Sequence, residues 1–405
     1  MQTKVGDFLT YGLIILLSAS LALGVINPFS EYSDSGEASE SIITSVIIVL
    51  SVFFLFIRRI FTGRIRVSFP KWFRYLLLFF VIYLISTVIH DRGSSSTMVT
   101  HFLKLFLDLL LCYLLYDLFR NGNRIKSISI LSYSLATALL GVLYYLGLLD
   151  PYIMVSSGRM MIFGENPNST SARIMIGIIL LIYTLLSNPF QWRKWRYLLA
   201  IFIIPELLMV IASGSRGSFL ILIICFIILL LNETKTTLQR FSVVVGILAV
   251  GFFALNKLTN VAIQENFSMF ERLSDLEEGE DAGRSSLNKD AIQIFMDYPI
   301  IGCGATAFPD EMRIRFQEQR TVHNLFYYIL VTSGLIGFTP FVLFLILCFK
   351  IAIRPYNRDL NISILLIILL LAWKTGGILT YAIMWYLFSI LLSSSTNKTI
   401  QNKLI

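Results

Sequence analysis

Charge is scarce in this chain. Lys, Arg, Asp and Glu together make up 14% of its 405 residues, where a soluble domain carries roughly a quarter. Histidine occurs three times and cysteine four times. Cys112, Cys225, Cys303 and Cys348 show no ligand spacing, and three of them lie inside apolar runs, which argues against a disulfide framework or a zinc site. No repeat of fixed period and no low-complexity tract is present. A strict Asp-x-Asp pair is also missing, the nearest being Asp275-Leu276-Glu277, so metal-independent chemistry without a cofactor is expected. The first apolar run, Phe8 to Ile26, lacks a clear cleavage site at its end and reads as a retained helix.

Apolar residues are abundant. They make up 56% of the chain, mean hydropathy is +0.75, and the class is a polytopic membrane protein. Runs of the length that crosses a bilayer, roughly 17 residues or more, lie near 8–26, 41–57, 72–89, 98–119, 127–148, 170–187, 197–213, 217–231 and 241–255. After a long polar segment come 323–350, 361–373 and 377–394, which makes about 12 spans. Lipid cannot satisfy free backbone groups and these runs do not alternate as barrel strands would, so an all-α fold is expected. The expected organisation is spans 1–9 over 1–255, an extracytoplasmic segment over 256–322, and spans 10–12 with a short tail over 323–405.

The formal charge of +8 does not form one basic face, so no nucleic-acid partner is expected. Instead the cations cluster in alternate loops. Arg58, Arg59, Arg64, Arg66, Lys71 and Arg74 lie between the second and third spans. Arg120, Arg124 and Lys126 follow the fourth, Arg193, Lys194 and Arg196 the sixth, and Lys235 and Arg240 the eighth; Lys350, Arg354 and Arg358 follow the tenth. The intervening loops are poor in cations, and the one with Glu31, Asp34, Glu37 and Glu40 is acidic. This pattern puts both termini in the cytoplasm and the 256–322 segment outside.

Ionisable groups within spans cost several kcal/mol and are functional candidates by default. His101, Lys104 and Asp108 fall on one face of the fourth span, where a Lys104–Asp108 ion pair is the structural alternative. Arg159 and Arg173 bracket the outer start of the sixth span, Glu206 sits mid-span after Pro205, and Lys374 ends the eleventh. Arg216 lies in Ser-Gly-Ser-Arg-Gly-Ser, whose small residues let a bulky anion approach; a snorkelling interface arginine is the bland reading. In the outer segment, the acidic run Asp275 to Asp281 reads as a solvated turn. A helix is expected over 285–296, with Leu287, Ala291, Ile294 and Phe295 on one side, ended by Pro299 and followed by a bend at Gly302 and Gly304. His323 begins the next span beside Asn324, and a neutral imidazole there can accept a proton from a hydroxyl. Arginine suits a diphosphate, so Arg216 and Arg284 are candidates to stabilise a departing lipid diphosphate.

The block GRSSLNKDAIQIFMDYPIIGCGATAF followed by VHNLFYYILVTSGLIG resembles the signature region of the O-antigen ligase and O-antigen polymerase superfamily. The matching positions are Arg284, Asp297, Pro299, Gly302, Gly304, His323, Asn324, Gly334 and Gly337. FGENPNSTSA, with Asn166 and Asn168, and SGSRGS are similar to earlier pieces of that family. The resemblance implies a glycosyltransferase of the bacterial cytoplasmic membrane that acts at its outer face on undecaprenyl-diphosphate-linked glycan. Arg216 and Arg284 would then hold diphosphate and His323 would activate the acceptor, with Lys104 as a further candidate. Arg159, Asn166, Asn168, Arg173 and Asn324 would complete substrate binding. Implied partners are the acceptor glycan or lipid A-core, membrane lipid, a chain-length regulator and a flippase.

The expected reaction is polymerisation of repeat units for O-antigen, capsule or exopolysaccharide. The alternative is an O-antigen ligase with lipid A-core as acceptor, which shares every visible motif. A transporter or flippase would also use many spans and buried charge, but such proteins favour midplane sites and related halves. Here the charges crowd one face and the halves look unlike.

Overall fold

The computed structural model describes residues 2–24, 42–61, 69–91, 95–156, 159–162, 165–192, 194–233, 284–318, 322, 324–355, 357–374 and 378–394. The helices are α1 Gln2–Leu23, α2 Ile42–Phe61, α3 Lys71–Ile89, α4 Ser95–Asn121, α5 Asn123–Tyr145, α6 Pro167–Ser187, α7 Ile203–Ala212 and α8 Arg216–Glu233. After the polar segment come α9 Arg284–Asp297, α10 Ala307–Phe316, α11 Leu325–Ala352, α12 Arg358–Lys374 and α13 Ala382–Ser393. Six helices among the described residues are long and apolar enough to cross a membrane: α2, most of α4, and all of α3, α5, α6 and α11. Exposed Val46, Val49, Phe53, Phe56 and Ile60 run as one stripe along α2, as expected of a face turned to lipid.

Several expected spans are less regular than their composition suggests. The run at 197–213 divides into a 3-10 stretch, Lys194–Phe202, and the short α7; the run at 377–394 divides into a 3-10 turn, Ile378–Thr380, and α13. The expected span at 241–255 lies outside the described residues. The fold is also not purely α. Ile153–Ser156 (β1) pairs antiparallel with Arg159–Ile162 (β2), Ile153 opposite Ile162, in the connection before α6.

The chain folds as two compact units. In the first, α5 packs against α1, α6 and α7, and α6 against α8. Helix α6 is its centre, with every residue from Ser169 to Ile182 buried. Without a hydrophobic force between helices in lipid, close approach depends on small residues and polar contacts. A Cβ on Gly177 would collide with the Thr137 hydroxyl, and one on Gly141 would come within 2.9 Å of the Glu206 backbone nitrogen. Ser18 Oγ and Ser129 Oγ, 2.7 Å apart, join α1 to α5.

In the second unit α3 packs along α11, α4 against α13, and α11 against α12. Phe79 and Phe341 (centroids 5.3 Å apart) and Phe344 and Phe388 (4.8 Å) carry aromatic contacts through its interior. The expected helix at 285–296 is present as α9, with Leu287, Ala291 and Ile294 buried and Phe295 packed against their cluster.

Helix α11 is interrupted at Gly334 (φ +61°, ψ −170°), inside what reads as a continuous span. An unbroken helix would bond the N–H groups of Leu335 and Ile336 to the carbonyls of Val331 and Thr332. The 299–304 turn takes over all four groups. Leu335 N–H donates to the Pro299 carbonyl (2.9 Å) and Ile336 N–H to that of Ile300 (3.1 Å). Cys303 N–H donates to Val331 O (2.9 Å) and Gly304 N–H to Thr332 O (3.0 Å). From α3, Ser86 Oγ also donates to Thr332 O (2.7 Å), and Thr87 Oγ1 accepts from Ala305 N–H (3.0 Å). So close an approach of backbones requires glycine. Gly302 and Gly304 have φ near +84°, and a Cβ on Gly302 would lie 2.5 Å from the Ser333 nitrogen.

Gly302→Ala should therefore cost about 1–3 kcal/mol and lower the thermal unfolding temperature of detergent-purified protein. Gly12→Ala, whose Cβ would meet open space, should leave it unchanged. Equal heat resistance of the two variants would remove the joint from this account.

Candidate functional site

In the first unit, the turn before α8 is built from small residues. Ser213 Oγ donates to Val210 O (2.6 Å) and lies 3.4 Å from Ser215 N–H; Gly214 takes φ +65°, and Ser215 Oγ is 3.1 Å from Ser218 Oγ. Arg216, half-buried, is the first residue of α8. A guanidinium at a helix N-terminus combines a fixed charge with inward-pointing N–H groups, an arrangement suited to an anion.

The start of α6 gathers Asn166, Asn168 and Arg173. Asn166 Oδ1 caps the helix by accepting from Asn168 N–H (2.9 Å), which leaves its amide nitrogen as the part a ligand could use. Arg173 is 4% exposed and ion-paired with Glu165, which also accepts from Thr170 Oγ1 (2.6 Å). The Arg173 guanidinium lies against Gly24, where any side chain would collide with it. Its charge is thus matched within the protein. Arg159 begins β2, its side chain outside the described residues. Glu206 is fully buried in α7.

In the second unit Asn324 caps α11, its Oδ1 accepting from Phe326 N–H (2.9 Å) and Tyr327 N–H (3.3 Å). His323 lies outside the described residues; Val322 and Asn324 on either side are buried. Arg284 opens α9, its side chain also outside the described residues. On α4, Lys104 is half-buried and Asp108 buried. One turn from Lys104, His101 Nε2 lies 3.0 Å from Tyr83 Oη, which lies 3.0 Å from Tyr328 Oη on α11.

The structure adds residues that the sequence reading passed over. His90, Asp91, Tyr298, Cys303 and Glu311 line an open cleft of about 240 Å³, where the end of α3 meets the α9–α10 turn. Thr306 Oγ1 donates to Asp91 Oδ1 (3.3 Å). Arg315 binds Glu311 Oε2 through Nε (2.5 Å) and Asp297 Oδ2 through Nη1. The hydrogen bond that Arg315 donates to Asp297, reinforced by Glu311, pushes its guanidinium above its ordinary range. The available signal was a His-Asp pair directly after an apolar span.

Residues 199–342 match the family model for O-antigen ligase. This segment belongs to the O-antigen ligase and polymerase superfamily. The superfamily comprises membrane glycosyltransferase-like enzymes, which agrees with the multi-pass helical fold. The matched segment contains Arg216, Arg284, His323, Asn324 and all three glycines of the joint; Lys104, Arg159, Asn166, Asn168 and Arg173 fall outside it. No curated protein matches the chain.

Glu165→Ala should leave Arg173 buried without its counter-charge and cost about 3–5 kcal/mol in thermal unfolding assays. Adding Arg173→Met should recover much of that loss. A double variant that is stable but inactive would give Arg173 a substrate role in addition to its structural one.

Proposed function

We propose that this protein polymerises undecaprenyl-diphosphate-linked oligosaccharide repeat units at the outer face of the bacterial cytoplasmic membrane. The observation that carries this reading is the superfamily match over 199–342, which encloses Arg216 on its small-residue turn together with Arg284 and His323. The acceptor sugar's hydroxyl oxygen forms a bond to the anomeric carbon of the donor glycan as that carbon's bond to the diphosphate oxygen breaks. The hydroxyl proton passes to His323. The bonding electrons leave with the lipid diphosphate, whose oxygens Arg216 and Arg284 hold without a metal ion.

Lys104, Arg159, Asn166, Asn168, Arg173 and Asn324 complete the proposed substrate-binding set, with Asn324 and Arg173 also serving the fold. Both termini face the cytoplasm in this reading, and a flippase and a chain-length regulator act before and beside the enzyme. A second reading is favoured by the family's own description as O-antigen ligase: the same donor would be transferred to lipid A-core.

The test is a glycan gel from a deletion strain complemented with wild type, His323→Ala, Arg216→Ala or Arg216→Lys. Arg216→Ala and His323→Ala should each lower long-chain polymer by about a hundredfold at normal protein level. Arg216→Lys should fail as well, because a lysine cannot bind phosphate bidentately. A single repeat unit on core without long chains identifies a polymerase. Bare core with polymer retained on the lipid identifies the ligase. Unchanged glycans in the His323 and Arg216 variants refute both.

A further inference from the structure

The cleft at the end of α3 differs in charge and shape from the arginine-bearing segments. Asp91 and Glu311 line it and Asp297 stands beside it; among the described residues these three carboxylates face one guanidinium, that of Arg315, which is engaged by Glu311 and Asp297. Such a surface repels phosphate and uronate groups and accepts hydrogen bonds from hydroxyls or amines. His90 Nδ1 lies 3.0 Å from the Ser86 carbonyl, which can only accept, so Nδ1 donates there and Nε2 is the ring nitrogen left for another partner. The imidazole and the Tyr298 ring meet edge to face, centroids 5.4 Å apart, giving the cleft an aromatic wall. Its volume of about 240 Å³ has room for one sugar ring, from which a longer glycan could extend out through the open side.

The chain path explains which side chains reach this space. Gly302 and Gly304 are held against the backbones of α11 and α3, where no side chain fits. Tyr298 and Cys303, from the same turn, line the cleft instead. The joint thus fixes the wall through the backbone of this turn, Cys303 N–H included, and leaves the side chains of Tyr298 and Cys303 to line the cleft.

We propose that His90, Asp91, Tyr298 and Glu311 form a subsite for one sugar residue of the acceptor glycan, a residue without acidic substituents. The proposal rests on the glycosyltransferase reading above. The carboxylates and His90 Nε2 take the hydroxyl edge of the ring, and the aromatic wall takes its C–H face. Among the described residues the lining carries carboxylates and no lysine or arginine, which suits the acceptor better than the diphosphate end of the donor.

The experiment is ligand-observed NMR on full-length protein in nanodiscs. The probe is the repeat-unit oligosaccharide released from the host polysaccharide by mild acid, which carries neither lipid nor diphosphate. Asp91→Asn keeps the shape of the cleft and removes one charge; Tyr298→Ala removes half of its aromatic wall. Each should weaken binding by about tenfold or abolish the signal. Asp310→Asn, which removes an exposed carboxylate of α10 paired to Arg313, should bind as wild type does. If Tyr298→Ala does not fold, Asp91→Asn decides alone. Wild-type affinity in Asp91→Asn, an equal loss in Asp310→Asn, or no binding by wild type overturns the proposal. Failure here, with polymer still lost in Arg216→Ala, would leave the glycosyltransferase standing. Binding in the cleft with glycans unchanged in Arg216→Ala would sink the glycosyltransferase and leave a sugar-binding protein.

Discussion

A helix broken within an apolar protein frees two carbonyls and two N–H groups, and each must find a new partner or cost several kcal/mol. At Gly334 the exchange is one for one, with the 299–304 turn supplying two donors and two acceptors. Much of the second unit is set by this exchange. It brings the α9–α10 turn against α11, and the Ser86 and Thr87 hydroxyls bring in α3. The cleft exists because those three segments meet, and the cluster of Leu287, Ala291, Ile294, Phe308 and Met312 backs it through Cys303 and Tyr298.

Charge is divided according to task. Arg173 and Glu165 neutralise one another at the head of α6, and Arg315 bridges two carboxylates beside the cleft. Arg216 lies at a helix start framed by serines and glycines. The cleft has the opposite character, with acceptors on its walls and aromatic rings between them.

The all-helical membrane class was legible because apolar runs of spanning length leave lipid-exposed chain few alternatives. Helix α9 was legible from the spacing of Leu287, Ala291 and Ile294, and the bend from Gly302 and Gly304. The break at Gly334 was not, since a glycine within an apolar run also reads as a helix-packing residue; only its partners 30 residues upstream reveal it. The 3-10 stretch at 194–202 and the short hairpin at 153–162 carry too few residues for their periodicity to stand out. Asn324 carries a structural signal beside the functional one. An Asn before an apolar run is an ordinary capping signal, yet its position beside His323 directed attention to substrate. His90 and Asp91 were missed because a polar pair after a span looks like the start of any connection.

The glycines of the joint bear on how such proteins are recognised. Gly302, Gly304 and Gly334 are fixed by backbone crowding, and nothing in that crowding depends on a substrate. A descendant that lost Arg216 or His323 would still need all three to keep its second unit folded. Sequence profiles anchored on this turn therefore detect an architecture, and they would gather inactive relatives as readily as working ones. Separating the two falls to positions outside this crowding, which here means reading Arg216, His323 and the side chains of the cleft individually.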